Sequence, residues 1–325
     1  MNSYLELWHN QETSWLKPCN FENEVDSNKV VVQAMHSLIS QGTERLVTSS
    51  LLTAEVSENM MVPYMKGKFS GKFTYGYSLV GKVLNGPANL MDSYVHLLHP
   101  HQEMAIVLAS DVSIIPDDIP PKVACLASNM ETAVNAIWDA KIDIGDRVLI
   151  VGYGIIGALI AFLLMQYPGV ELLIQEINKE RAALARSQGF SVVRSNAKVD
   201  QNFDIVFNAS GDEAGLQVAI NSTITEGKII ELSWYGSMPI SLHLGGSFHY
   251  GRKRIISSQV SKIPAHKKHN WTVDKRKILV FDLLRHPGLI NLITDEIEFS
   301  ETPAYYAKLR KREIHHFSTL INYHS

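Results

Sequence analysis

Residues 147–166 read as an apolar strand (RVLIV), a glycine turn (Gly152-Tyr153-Gly154-Ile155-Ile156-Gly157) and an apolar helix (ALIAFLLMQ). Few backbones accept that order. The first glycine makes a tight turn, the second lets the backbone approach a pyrophosphate, and the third lets the helix lie against the strand. Glu176 stands nineteen residues after Gly157, at the end of the next apolar run. A carboxylate there accepts hydrogen bonds from an adenosine ribose diol. A ligand-free turn would account for the glycines alone. The strand before, the helix after and the acid beyond together predict a dinucleotide site at Gly152, Tyr153, Gly154, Ile155, Ile156, Gly157 and Glu176. The carboxylate repels a 2′-phosphate, which Lys179 and Arg181 partly offset, so NAD is expected ahead of NADP, with Arg181 in the site.

The same turn decides a second question. Val148 to Val170 is a run of 23 uncharged residues, long enough to span a bilayer on length alone. The glycines and Tyr167-Pro168-Gly169 break it into a buried strand and helix instead.

Around this unit the pattern alternates. Strands are expected at Arg147–Val151, Glu171–Gln175, Asp204–Asn208, Lys228–Leu232 and Arg254–Ser257. Helices are expected to about Gln166, over Lys179–Gln188 and over Ala214–Asn221. Alternation of this kind implies crossover connections and a mostly parallel, doubly wound α/β sheet covered on both faces. Residues 1–118 look β-rich, with short apolar segments at Lys29–Gln33, Tyr75–Val83 and Met104–Leu108 and no long helix. From Pro120-Pro121 a helix carrying Leu126, Met130, Val134, Ile137 and Trp138 leads into the second lobe. An amphipathic segment, Lys277–Arg285, precedes a returning tail. The expected domains are 119–259 for the cofactor, and 1–118 with 260–325 for the rest.

Charge and cysteine content narrow the function. Thirty Lys+Arg against 33 Asp+Glu give a net charge of −3, with no global field for nucleic acid or membrane. Cys19 and Cys125 are the only cysteines, too few for a disulfide framework or a four-cysteine zinc lobe. With no basic-then-apolar leader at the N-terminus, a cytoplasmic protein acting on a small molecule is expected.

The run GDRVLIVGYGIIG, then EINKER, then DIVFNASG, resembles the cofactor domain of the medium-chain dehydrogenase/reductase superfamily, the alcohol dehydrogenases and quinone reductases. Ile39-Ser40-Gln41-Gly42-Thr43-Glu44 resembles the loop that carries the first metal ligand in its zinc members. Tyr75-Gly76-Tyr77-Ser78-Leu79-Val80-Gly81 resembles the segment that carries the second. GTER, YGYSLVG, LHPHQ, NMETAVNAIWDA and SWYG are similar to a bacterial branch labelled zinc-binding dehydrogenase, akin to the enzyme that oxidises the hydroxyethyl group of bacteriochlorophyllide. The resemblance implies a GroES-like β-rich N-terminal domain, a Rossmann domain and a tail returning to the first. It also implies a homodimer, and cofactor contacts at Ser210, Gly211, Ser233 and Trp234.

Departures from the zinc pattern shape the expected chemistry. Gln41 stands where zinc members carry Cys, Tyr77 where they carry His, Ser78 where Glu is usual, and Leu46 where a relay histidine is usual. The third ligand position falls near Cys125–Ser128. One thiolate does not make a catalytic zinc site, which needs three protein ligands, so no metal is expected. Hydroxyl donors then stabilise the reacting oxygen, with Thr43 and Tyr77 as candidates; a core tyrosine bonded to backbone is the plainer account of Tyr77. His101 is a candidate general acid or base. Glu131 is ranked above Glu44, because its helix is expected to cross the cleft between lobes. His99-Pro100-His101 has no third ligand at matching spacing and reads as a non-metal pair.

Arg252 to Lys277 carries nine Lys/Arg against Asp274 alone, with His266, His269 and Trp271 interleaved. A solvated loop is the first reading, an anionic substrate the second, with Lys267, Lys268 and Arg276 its ligands. The leading functional expectation is a zinc-independent, NAD-linked oxidoreductase acting on a secondary alcohol/ketone pair. The alternatives are a quinone or enone reductase, and a non-catalytic dinucleotide- or RNA-binding module.

Overall fold

A computed structural model describes residues 2–21, 26–49, 51–193, 203–314 and 316–323. The chain forms two compact units, one of residues 1–128, 236–238 and 277–325, the other of 129–235 and 239–276. Helix Ala127–Ala140 therefore begins at the end of one unit and runs into the other, and the stretch to Arg276 belongs with the cofactor sheet.

The second unit is a six-stranded, wholly parallel sheet in the spatial order 191–193, 171–175, 147–151, 203–208, 223–231, 254–257. The order reverses at Arg147–Val151, which sends its next strand to one side and a later one to the other. That reversal opens a crevice above the carboxyl ends, directly over the glycine turn. Helix Ile155–Leu164 buries every residue from Gly157 onward. At ten residues it is about 15 Å long, half a bilayer core, and no helix among the described residues is long and apolar enough to cross a membrane. Strands 147–151, 171–175 and 254–257 fall where the pattern placed them. Thr223–Glu231 starts five residues earlier than read, because Thr223–Gly227 is polar and part-exposed and gives no apolar run. Strand Ser191–Val193 is too short to leave a periodicity.

The first unit is β-rich. Its larger sheet runs 295–298, 319–322, 29–39, 79–85, 94–97, 112–114, with Met104–Leu108 also paired to 29–39. Its core gathers Leu7, Val32, Ile39, Leu79, Val95, Val107, Tyr306 and Ile321. An antiparallel hairpin, Asn2–His9 with Ser14–Phe21, joins Phe73–Thr74 in a second, small sheet. The hairpin was not legible, since Pro18, Cys19 and Asn20 interrupt its alternation. The Pro121 helix is two pieces, Pro121–Ala124 and Ala127–Ala140. Helix Thr302–Arg310 and strand Thr319–Asn322 are the tail's anchorage, which the sequence indicated only as a returning segment.

Candidate active site

The glycine turn is built as its residue types demand. Gly152 has φ +95°, and a β-carbon on it would lie 2.8 Å from Ser210 Cα. On Gly157 it would collide with the Gly152 carbonyl oxygen. Both positions are closed by packing. Gly154 differs: a β-carbon there would meet nothing nearer than Arg181 Nη1 at 3.9 Å. The packing leaves open the one glycine position that a pyrophosphate would approach.

Glu176 closes the turn from the next strand. One carboxylate oxygen accepts from the Tyr153 amide at 2.6 Å and the other from the Asn178 amide at 2.7 Å. Each oxygen keeps a lone pair for a further donor. Asn178 caps helix Lys179–Ser187 by accepting from the Glu180 and Arg181 amides. Arg181 Nε is buried with no hydrogen-bond partner among the described residues. An orphaned guanidinium nitrogen beside an open glycine suits an anionic ligand, so the residues present fit a dinucleotide. Tyr153 is a different case: its ring is fully buried and its hydroxyl bonds Gln188, which leaves its backbone as the part facing the turn.

On the other flank, Ser210 donates to Asn208 Oδ1 at 2.7 Å and the Gly211 amide donates to Ser233 Oγ at 2.9 Å. These loops follow strands 203–208 and 223–231, so Ser210, Gly211, Ser233 and Trp234 stand at carboxyl ends beside the turn. Glu231, the last residue of its strand, is a carboxylate that the sequence reading passed over. The signal was present, as a charge ending the apolar run KIIEL.

In the first unit, the Tyr77 hydroxyl hydrogen bonds Ser40 Oγ and the Thr43 side chain. Burial, against the opposing pull of these two hydroxyls, pushes the phenol up to about 12. It is a neutral donor at every physiological pH. Ser40 occupies the N-cap of helix Gln41–Val47 yet makes no side-chain cap. Its hydroxyl goes to Tyr77, and its own amide is held by Glu44 Oε1 at 2.7 Å. Ser40 was missed, although it adjoins the motif.

Glu44 is the hub behind this trio. It is buried, and its second oxygen bonds the Tyr306 hydroxyl and sits 3.2 Å from His101 Nε2. His101 Nδ1 lies 2.7 Å from Ser37 Oγ, which lies 2.8 Å from the Tyr323 hydroxyl. His101 is wholly buried with both ring nitrogens engaged, so it supports the site from behind and does not face solvent. The ranking of Glu131 above Glu44 is reversed. Glu131 is buried in the cofactor unit 3.4 Å from Arg276 Nε, and Arg276 also donates to Asn135 Oδ1 at 2.9 Å and the Val260 carbonyl at 2.8 Å. That guanidinium is an internal strut and is withdrawn as a ligand for an anionic substrate. Much of the basic stretch is similarly spent: Lys253 donates to the Ile220 carbonyl at 2.7 Å, Arg254 to the Glu226 carbonyl at 2.9 Å, and Arg252 pairs with Glu226.

The positions that hold zinc in the resembling family do not form a ligand set. Gln41 donates to the Tyr305 hydroxyl at 3.1 Å. Ser78 donates to the Cys125 carbonyl at 2.6 Å, and Ser128 to the Tyr77 carbonyl at 2.7 Å. Both serines also lie 3.2 Å from Nε2 of His96, an imidazole that burial holds well below its ordinary range. An amide, a phenol and two hydroxyls are poor zinc ligands. Among the described residues no group of three or more His, Cys, Asp or Glu is placed to hold a metal ion.

No family model matches the chain. It is 24% identical over 258 residues to D-guloside 3-dehydrogenase of Shigella flexneri, covering 73% of each chain. Its fold matches Escherichia coli L-idonate 5-dehydrogenase with a TM-score of 0.79 at 14% identity, over 99% of this chain and 98% of that one. An alcohol dehydrogenase from Escherichia coli solved with NADH matches with a TM-score of 0.75 at 15% identity, over 99% and 100%. The chain is thus similar in sequence to dehydrogenases and shares the fold of the medium-chain dehydrogenases/reductases. The relatives and the fold, with its GroES-like and Rossmann parts, support a nicotinamide-dependent oxidoreductase.

Proposed function

We propose a zinc-independent, NAD-preferring dehydrogenase that interconverts a secondary alcohol, of the polyol or sugar-derived class, with its ketone. The relatives named for the 3-position of a guloside and the 5-position of idonate support a secondary hydroxyl as the reacting group. The observation that carries the reading is the Tyr77–Ser40–Thr43 hydroxyl cluster standing where a metal shell is usual.

The bound cofactor supplies the hydride acceptor and donor. The turn, shaped by Gly152 and Gly157, would hold its pyrophosphate bridge at Gly154, with Glu176 taking the ribose diol and Arg181 an adjacent negative charge. Glu176 is also the reason for preferring NAD, since its carboxylate sits where a 2′-phosphate would be repelled. Tyr77, kept protonated, donates a hydrogen bond to the substrate oxygen and stabilises the charge that develops there during hydride transfer. In the oxidative direction the alcohol proton enters the cluster at Tyr77. Tyr77 would take that proton as its own O–H proton moves to Ser40 Oγ, and Ser40 would release one to solvent water, so no residue is left charged. Glu44, with His101 and Tyr306 behind it, fixes the Ser40 backbone that aims the cluster. Edge strand Arg254–Ser257, with Ile255 exposed, supports a homodimer through the cofactor sheets.

The test is Tyr77→Phe assayed against a panel of secondary alcohols, enones and quinones, with zinc content measured on the same preparation. A loss in kcat of about 10²–10³ with unchanged NAD affinity is expected for alcohol substrates. Stoichiometric zinc, or turnover of enones alone, would overturn the proposal.

A further inference from the structure

A carboxylate stands on each flank of the glycine turn. Glu176 follows strand 171–175, immediately to one side of Arg147–Val151; Glu231 ends strand 223–231, the second strand on the other side. In a doubly wound sheet the two halves of a dinucleotide lie over the two halves of the sheet. The ribose position at Glu176 puts the adenosine on its side, which leaves the nicotinamide on the side of Glu231.

Glu231 is held firmly. Asn208 Nδ2 donates to its two oxygens at 3.1 and 2.8 Å, the Ser233 amide donates at 2.6 Å and the Tyr235 hydroxyl at 3.3 Å. Burial pushes this carboxyl up from its ordinary range, and the hydrogen bonds from Asn208, Ser233 and Tyr235 pull it back down; none of these partners is a cation, so the ionised form is oriented by neutral dipoles with no countercharge among them. The cluster is stitched to the turn: Asn208 also receives Ser210 Oγ, and the Ala209–Ser210 backbone packs against Gly152.

We propose that Glu231 selects the oxidation state of the cofactor, its charge favouring the positively charged oxidised nicotinamide over the neutral reduced ring. The proposal rests on the nicotinamide reading of the glycine turn given above. Adenosine and pyrophosphate are the same in both forms, so a fixed charge on the nicotinamide side acts on the difference between them and biases the protein toward alcohol oxidation.

Titration calorimetry of NAD⁺, NADH and ADP-ribose with the parent, Glu231→Gln and Glu231→Asp tests this without any turnover. The parent is expected to bind NAD⁺ at least as tightly as NADH. In Glu231→Gln the preference for NAD⁺ should fall about tenfold, the scale of one unit charge in a protein-like dielectric. Glu231→Asp should keep it, and ADP-ribose, which lacks the nicotinamide, should bind all three alike. A parent that holds NADH tenfold tighter than NAD⁺, or a ratio unmoved by Glu231→Gln, overturns the proposal. If Glu231→Gln loses ADP-ribose through misfolding, the parent ratio decides. A parent that binds none of the three brings down the reading of the turn itself.

Discussion

Arg276 and Glu131 form a buried ion pair inside the cofactor unit, with Nε and Oε1 3.4 Å apart. Removing one member of such a pair strands the other charge in the interior. Arg276→Met is therefore expected to cost about 3–5 kcal/mol of unfolding free energy, read from urea titration. Lys267→Gln with Lys268→Gln should leave stability within about 0.5 kcal/mol. Equal melting behaviour of the two variants would remove the strut.

Two glycines only three residues apart should fail in different ways. Gly157→Ala drives a methyl into the Gly152 carbonyl oxygen and should give a misfolded or strongly destabilised protein. Gly154→Ala has room in the folded chain and should melt within a few degrees of the parent. Its methyl would occupy the space a pyrophosphate needs, so NAD affinity should fall by about 10²-fold or more, against the roughly 1.4 kcal/mol that makes each factor of ten. Undiminished NAD binding by Gly154→Ala would argue that nothing approaches the turn.

Arg181 has a buried Nε with no partner among the described residues. Taking the guanidinium away should cost the empty protein little and the complex much. Arg181→Met is expected to leave the thermal midpoint close to that of the parent while weakening NAD binding by about ten- to thirtyfold, the worth of a charged hydrogen bond. A shifted midpoint with unchanged NAD affinity would make Arg181 a packing residue.

Burial holds the His99 imidazole down at about 4, against an ordinary 6.5, and depresses His9 and His96 in the same direction. Unfolding lets each take a proton below pH 6.5, whereas folded His99 stays neutral until about pH 4. The unfolded state binds more protons in that window, so stability should be flat above pH 6.5 and decline as pH falls from there toward 4. His99 alone accounts for about 3 kcal/mol by the bottom of the window. Urea midpoints at pH 7.5, 5.5 and 4.5 measure the slope, and His99→Gln should reduce it while His9 and His96 keep the remainder.

The cofactor half was legible because its demands are local. A turn of φ +95° at Gly152, a helix resting on Gly157 and a cap at Asn178 each leave a residue type in a fixed place. The hydroxyl cluster was legible only in part. Thr43 and Tyr77 lie within recognisable segments, but the support behind them comes from Tyr306 and Tyr323 in the tail, and no spacing in a sequence announces contacts of that range. Glu131 misled for the opposite reason. A carboxylate on a helix that looked central reads as functional until its partner Arg276, far along the chain, is seen to neutralise it. The anionic-substrate reading of the basic stretch, second to a solvated loop, overreached likewise, since counting charges ignores the carbonyls and carboxylates that engage Arg252, Lys253 and Arg254.

Strand Thr319–Asn322 lies between Asp295–Glu298 and Lys29–Ile39, with Thr319 opposite Ile39. The β-rich unit thus lacks an interior stave until residues 319–322 have emerged from the ribosome, whereas every strand of the parallel sheet has been synthesised by Ser257. During translation the nucleotide-binding half has all its pieces first, and the half bearing Tyr77 waits for the last of its own. A chain cut before Thr319 should therefore keep every strand of the parallel sheet and lose an interior strand of the β-rich one.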